Sequence, residues 1–346
     1  MPARPAAAAG GSRHSGLLAG VSCFAPADCT AVGAYYDTAT GPEQALVELW
    51  NGAAWHVSPP PDAGRAGTLD SVSCPSAVRC TAVGSLIAGW NGTSWTIERS
   101  SSPFVSVSCP APGACVAVGV TAGGAPLAGY WDGRTWRLRP MPLPPHPAQS
   151  ITLAGVSCSG PRFCVAVGDY SYGVGARPGR SGRDRTFAER WNGSFWQVMH
   201  TVNAASWNRL SAVSCTSPRA CTAVGSYAQE FPLAERWNGS AWLSERVPAL
   251  NKIGYTELTA VSCSTDSSCL AAGTYDGGSQ AIAESWNAGT WRLSVLPGPP
   301  QAEPFVQPAG VSCAGPAACV AVGTDGAGLA EVWSDGRWRI TPVPGP

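Results

Sequence analysis

Charge is scarce in this chain. Only 13% of its 346 residues are charged, the formal net charge is zero, and Lys252 is the single lysine against 21 arginines. The basic footprint that nucleic acid or an anionic membrane surface demands is therefore missing at the level of the whole chain. No apolar run approaches the roughly 20 residues needed to cross a bilayer, so no membrane insertion is expected. Sustained helical periodicity is absent too. The four histidines, His14, His56, His146 and His200, are scattered, and there is no GxSxG elbow, phosphate-binding glycine loop or HExxH pair. No metal and no cofactor is expected, and no catalytic residue is assigned. The opening MPARPAAAAGGSRHSG lacks the apolar core of a secretory signal, so residues 1–16 read as a flexible tail with no visible leader.

Cysteine, by contrast, is abundant and regular. Fourteen cysteines form seven pairs with one spacing: Cys23/Cys29, Cys74/Cys80, Cys109/Cys115, Cys158/Cys164, Cys215/Cys221, Cys263/Cys269 and Cys313/Cys319. Structural zinc favours shorter C-x2-4-C spacings with four converging ligands, which one isolated pair per unit does not supply. Disulfides fit better, and they imply an oxidising compartment, hence an extracellular or cell-surface protein.

The pairs mark a repeat. Cys158 to Trp196 holds its full pattern: VSC, five residues, C-x-AVG, a variable run, then AERWNG and a second tryptophan. Seven copies start near residues 17, 68, 103, 152, 209, 257 and 307 and fill 17–343. Short runs rich in Val, Ala and aromatics, bounded by Gly, Pro, Asn and Ser, are strand signals. Asn-Gly or Asp-Gly between the third and fourth runs, as at Asn51-Gly52 and Asp132-Gly133, suits a two-residue type I′ hairpin. Such a loop would pair Trp50 with Ala53 and set Trp55 across from Glu48, with Glu48, Trp50 and Trp55 on one face. Four antiparallel strands repeated seven times, about 50 residues each, predict an all-β, seven-bladed β-propeller.

Two phasings satisfy the repeat. The VSC strand can open its own blade, which puts each disulfide within a blade, or it can be the outer edge of the preceding blade, which makes the disulfides join blades. The first is the reading adopted. The order of segments, an inner strand, a second strand ending in glycine, a W/Y-[ND] turn and a final tryptophan, resembles a kelch or galactose-oxidase-type blade. It resembles still more the Cys-paired, WNG-containing repeat proteins common in actinobacteria, over roughly residues 17–340. AVG stands where the kelch blade has its double glycine. Copper-radical chemistry of the galactose-oxidase kind needs a free cysteine and two histidine ligands, and neither is on offer.

Features that recur serve the scaffold: the tryptophan pairs, in every copy, as core, and Glu48, Glu189, Glu235, Glu284 and Glu331, in five copies with Ala88 and Gly129 in the others, as hydrogen-bond acceptors from backbone or arginine. What varies points to function. The steps between paired cysteines and between paired tryptophans are constant. From the AVG glycine to the next tryptophan, however, there are 6 steps at Gly84–Trp90 and 23 at Gly168–Trp191. In an up-and-down blade the variable connections emerge on one face of the disc, where binding belongs. Candidate ligand-binding residues there are Trp207, the one tryptophan outside the pairs, Tyr35, Asp37, Tyr170, Tyr172, Arg177, Arg180, Tyr227, Tyr275, Asp276 and Asp325. Loop aromatics and little charge lean toward a non-catalytic, monomeric module for a glycan or a cell-surface or cell-wall component. A protein-interaction scaffold is the second reading, and a glycoside hydrolase or lyase using loop carboxylates the third.

Overall fold

The computed structural model describes residues 16–36, 41–59, 66–173, 183–228, 231–248, 255–276, 279–297, 307–325, 328–334 and 336–344. Over these the chain forms seven four-stranded antiparallel sheets, each made of four consecutive strands. Blade 1 comprises Gly16–Ala25, Asp28–Tyr36, Glu43–Trp50 and Trp55–Val57. The first strands of the other blades are Leu69–Ser76, Phe104–Ala111, Ser150–Gly160, Asn208–Ser217, Thr256–Thr265 and Gln307–Gly315. The phasing is thereby decided: each VSC strand pairs with the C-x-AVG strand that follows it, and all seven disulfides lie within blades. Of the expected N-terminal tail, residues 1–15 lie outside the described residues, as do Asp37, Arg177 and Arg180.

The two cysteines of a bridge have different surroundings. The second of each pair, Cys29, Cys80, Cys115, Cys164, Cys221, Cys269 or Cys319, sits on the second strand and is buried. Each packs into an apolar cluster with the tryptophans, as Cys164 does beside Trp191 and Trp196, and Cys221 beside Trp237 and Trp242. Threonines of the preceding blade close over some of these sulfurs: the Thr30 hydroxyl reaches Cys80 Sγ at 3.8 Å, and the Thr81 hydroxyl reaches Cys115 Sγ at 3.5 Å. With no S–H left in a disulfide, the hydroxyl is the donor.

The seven first strands pack side by side about the axis, with that of blade 7 against that of blade 1. They line an axial cavity of about 160 Å³. The serine of VSC joins them. Its Oγ accepts from the backbone N–H of the VSC cysteine in the next blade: Ser22 from Cys74, Ser73 from Cys109, Ser108 from Cys158, Ser157 from Cys215, Ser214 from Cys263, and Ser262 from Cys313, at 2.9–3.0 Å. Ser312 accepts from Cys23 at 2.9 Å and closes the ring. Among the described residues no strand is exchanged between the first and last blades, so this contact, a hydrogen bond from Trp55 Nε1 to Thr341 Oγ1 at 3.0 Å, and apolar packing hold the seam.

The AVG glycine has a steric cause. In most blades the first strand bulges where it passes this residue, as between Leu18 and Gly20 and between Leu153 and Gly155. A Cβ built on Gly33 or Gly168 would lie 1.8 Å from the carbonyl oxygen of Leu17 or Thr152. Only glycine fits under the bulge. It does not end the strand, which continues to Tyr36 in blade 1 and to Tyr172 in blade 4.

The hairpin after the first tryptophan differs from expectation. Trp50 lies directly opposite Trp55, and Glu48 opposite Val57, so the loop has four residues. Asn51 N–H donates to the Ala54 carbonyl at 3.3 Å, while Asn51 Oδ1 accepts from the N–H groups of Ala53 and Ala54 at 2.9 Å. The asparagine works as a side-chain acceptor, an Asx turn, and Gly52 alone takes the left-handed φ, +90°. Type I′ geometry occurs instead in blade 6, the copy that departs from the motif. There Asn287 pairs with Thr290 around Ala288 (φ +46°) and Gly289 (φ +99°).

Cross-strand pairing puts the two indoles of a blade together, with ring centroids 5.4 Å apart in Trp50–Trp55 and 5.9 Å in Trp191–Trp196. Leu46, Trp50 and Trp55 pack on Val320, Val322 and Ala330 of blade 7, so each pair faces the preceding blade. Glu48, Glu189, Glu235, Glu284 and Glu331 are buried in these same interfaces. The expected donors are met at Glu235, whose Oε2 accepts from Val202 N–H at 3.1 Å. At Glu48, Glu189 and Glu284 neither carboxyl oxygen has a partner among the described residues. Burial pushes Glu48, Glu189, Glu284 and Glu331 up to about 8, and Glu235, where the Val202 N–H opposes burial, to about 7. Near neutral pH the four other than Glu235 are mostly uncharged acids packed among tryptophans.

Candidate functional site

First strands begin, and second strands end, on the face with the variable connections. Two repeat positions meet there, and in blades 4, 5 and 6 they break pattern together. After the AVG glycine stand Ala34, Ser85, Val120, Ser226, Thr274 and Thr324, but Asp169 in blade 4. Arg209 and Glu257 hold the position before the first-strand leucine in blades 5 and 6. Strand pairing puts these residues on a common rung, Asp169 opposite Thr152, Arg209 opposite Ser226 and Glu257 opposite Thr274.

The result is a cavity of about 270 Å³ lined by Asp169, Asp184, Trp207, Asn208, Arg209, Ser226 and Glu257. Arg209 spans it, with Nε 3.5 Å from Asp169 Oδ1 and Nη1 3.9 Å from Glu257 Oε1. Burial, reinforced by the Asp184 carboxylate and opposed by Arg209, pushes Asp169 up to about 6. Burial raises Asp184 as well, against the pull of Arg209. Three carboxyl groups face one guanidinium, which leaves the cavity acceptor-rich.

Trp207 stands at its edge with 38% of its surface exposed. The connection that carries it, between blades 4 and 5, is tied down from beneath. Buried Asn208 donates through Nδ2 to the carbonyls of Ala205 (2.7 Å) and Asp184 (3.2 Å) and accepts from Ala205 N–H (3.1 Å). Thr186 donates from its hydroxyl to Thr201 Oγ1 at 2.6 Å and from its N–H to Asn203 Oδ1 at 3.0 Å. Glu235 holds Val202. The Trp207 carbonyl accepts from Ala228 N–H at 2.8 Å. The backbone that presents the indole is thus tied down in advance of any ligand.

The other candidates are dispersed. Tyr170 is buried, edge-on to Phe187 at 6.0 Å. Tyr172 stacks on His146 at 4.8 Å, and a hydrogen bond with Arg185 holds its phenol below the usual range. Tyr35 donates to Gln44 Oε1 at 3.1 Å and packs on the blade 1 core. Tyr227 stacks on Phe231 at 5.3 Å, and Tyr275 packs on the blade 6 core. Asp276 is an exposed turn residue with φ +52°, and Asp325 is half-buried at the end of its blade's second strand. Of the candidates among the described residues, Trp207 alone lines the cavity. Asp169, Arg209 and Glu257 sit in strands, and the signal that finds them is a charged residue where sister repeats are neutral; Asp184 carries no such signal, since Glu43 and Glu230 hold its repeat position in blades 1 and 5.

The cysteines belong to the scaffold and not to this site. None lines the cavity beside Trp207. Cys80, Cys115, Cys164 and Cys221 are core residues, each exposed by 6% or less, and their sulfurs are spent in bridges to Cys74, Cys109, Cys158 and Cys215. A buried, oxidised sulfur has neither the reach nor the thiolate that ligation or nucleophilic attack requires.

Among the described residues no group of three or more His, Cys, Asp or Glu is arranged to hold a metal ion, and no helix is long and apolar enough to cross a membrane. No family model matches the sequence, and no curated protein does. Solved structures match the fold. YCF48 from Cyanidioschyzon merolae superposes with a TM-score of 0.60 at 17% identity, covering 95% of this chain and 98% of that one. A second YCF48 structure is bound to D1 peptide. The β-propeller domain of Cps50 (Swd1) from Myceliophthora thermophila gives 0.61 at 12% identity, covering 94% and 98%. Aleuria aurantia lectin in complex with α-methyl-L-fucoside gives 0.50 at 11% identity, covering 89% and 94%. The chain is a seven-bladed β-propeller with one disulfide per blade, and at these identities the likeness concerns the fold.

Proposed function

We propose that the protein is an extracellular, non-catalytic binding module that takes a glycan on its variable-loop face, in the cavity beside Trp207. The observation that carries this reading is the half-exposed indole, on a tied-down backbone, next to a cavity of carboxyl and hydroxyl acceptors. An indole face suits the C–H face of a sugar ring, and carboxylates accept hydrogen bonds from its hydroxyls. Seven disulfides support an oxidising location. The fucoside-bound lectin supports the ligand class to the extent that a propeller scaffold of this kind carries it. Segment order supports a kinship with the Cys-paired WNG repeat proteins and with kelch-like blades.

A protein partner is the second reading, favoured by the excess of carboxyl groups over Arg209, which suits a basic side chain, and by the peptide complex of YCF48. Asp169, pushed up beside Asp184, keeps a hydrolase or lyase as the third. The test is a glycan and polysaccharide array probed with the oxidised protein, with Trp207→Ala alongside and products of each bound glycan analysed. Saturable binding, weakened about tenfold or more by the substitution, is expected, with the glycan intact. Binding indifferent to Trp207→Ala, or binding only of basic peptides, would sink the assignment, and cleaved glycan would turn it into an enzyme.

A further inference from the structure

The residue before the first tryptophan of each blade points the other way from that tryptophan, toward the next blade. In four blades it roofs the next tryptophan pair. Tyr130 of blade 3 lies 4.8 Å from Trp191 of blade 4, and its hydroxyl accepts from Trp196 Nε1. Arg236 of blade 5 lies 3.5 Å over the Trp286 ring of blade 6, anchored on Thr222 Oγ1 and the Asp266 carbonyl at 2.9 Å. Leu49 and Val332 pack in the same way at their own interfaces. In two blades the roof is missing, because the position holds Gly89 or Ser285. Those two blades precede the two pairs, Trp131/Trp136 and Trp333/Trp338, in which both indoles remain partly exposed; in no other blade are both.

The two openings are not equivalent. Between blades 2 and 3, Glu98 moves into the space that Gly89 leaves. A Cβ on Gly89 would meet Glu98 Oε1 at 2.3 Å, and Trp136 Nε1 donates to Glu98 Oε2 at 2.8 Å. Glu98 narrows that opening to a cavity of about 340 Å³, whereas between blades 6 and 7 the cleft is wider, with a volume of about 620 Å³, in the range of small-molecule sites. The indoles of Trp333 and Trp338, 5.4 Å apart and inclined at 55°, form one wall. Hydroxyl side chains, among them Ser268, Ser285 and Thr290, line the rest, with Arg292 as the charged group and no carboxylate among the described lining residues. Arg292 lies directly across the strand pair from Ser285.

We infer that this unroofed cleft is a second binding site, on the disulfide face, for a saccharide residue that is neutral or carries a carboxylate. Two indole faces answer an apolar ring face, the hydroxyls and the guanidinium answer ring substituents, and a cationic amino sugar finds no counter-charge. The site shares its ligand class with the proposed function but none of its residues.

The chain supplies its own plug. Ser285→Arg copies Arg236 and should cover Trp333 and Trp338, lowering acrylamide quenching of tryptophan fluorescence in the absence of ligand. An array of neutral, uronic-acid and amino-sugar oligosaccharides is then probed with the wild type, Ser285→Arg, Trp338→Ala and Trp207→Ala. Binding of a neutral or acidic saccharide that falls about tenfold or more in Ser285→Arg and Trp338→Ala, yet survives Trp207→Ala, is the expected result. Binding unchanged in a folded Ser285→Arg protein with reduced quenching would overturn the site. So would binding lost only in Trp207→Ala, which instead supports the cavity on the opposite face. Absence of any saccharide binding overturns both.

Discussion

Single residues carry the main constraints of this fold. Gly168 lies under the bulge of its neighbouring strand, and a methyl group there would collide with the backbone of Thr152. Gly168→Ala should destabilise blade 4 by about 3 kcal/mol or prevent its folding, because the obstacle is main chain and cannot swing aside. Denaturant unfolding measures this, and a loss below about 1 kcal/mol, the ordinary range for a mild substitution, would refute the steric account. The buried glutamic acids make a different demand. Their ordinary value is 4.5, whereas in the fold Glu48 and Glu284 sit near 8. The folded chain therefore holds these protons more tightly than the unfolded one. The stability they contribute is full below about pH 4.5 and is lost as pH rises through about 8. Tm should fall as pH climbs through that window, and Glu48→Gln with Glu284→Gln should flatten the decline. A Tm that rises from acid to neutral pH would contradict the assignment. The AVG glycines and the recurring glutamates were both legible as pattern. Why each is there was not, since the bulge and the burial arise only when strands and blades meet.

At the scale of the element, cysteine spacing and turn chemistry behave differently. Cys263 and Cys269 are direct cross-strand partners, with Cα atoms 3.9 Å apart, so the bridge closes a short hairpin loop. Replacing both with serine should cost roughly 2 kcal/mol, the loop-closure entropy of so short a ring, and leave the other blades in place. Calorimetry on the double variant checks it, and an unchanged Tm would show that the bridge adds nothing to a register already set by the strands. Pairing of the cysteines was readable because the spacing recurs without exception. The burial of one sulfur in each bridge, as at Cys164 and Cys221, was not, since it depends on the tryptophans packed around it. The hairpin type was not readable either. Asn-Gly serves a two-residue loop or the glycine of a longer Asx turn equally well, and cross-strand packing of Trp50 on Trp55 favours the longer one.

For the whole molecule the question is how seven separate sheets become one ring. Among the described residues the seam between blades 7 and 1 has no shared strand. It is held by apolar packing, by Trp55 Nε1 donating to Thr341 Oγ1, and by Cys23 N–H donating to Ser312 Oγ. Ser312→Ala should cost about 1 kcal/mol. It should also speed hydrogen exchange in Gly16–Ala25 and Gln307–Gly315 more than in the blades opposite. Equal exchange around the ring would mean the seam is no weaker than any other boundary. The amino-acid sequence by itself determined the repeat, the number of blades, the cysteine pairing and the face on which the chain varies, because each is written locally and repeated seven times. Which strand opens a blade was decided only by the fold, since both phasings satisfy the same repeat. The tertiary structure alone decided which residues share a cavity. Asp169, Trp207, Arg209 and Glu257 belong to three blades, and Ser285 meets Trp333 and Trp338 only across a blade boundary. Contacts of that kind depend on the closure of the ring, which sets how far adjacent blades diverge and which side chains reach across.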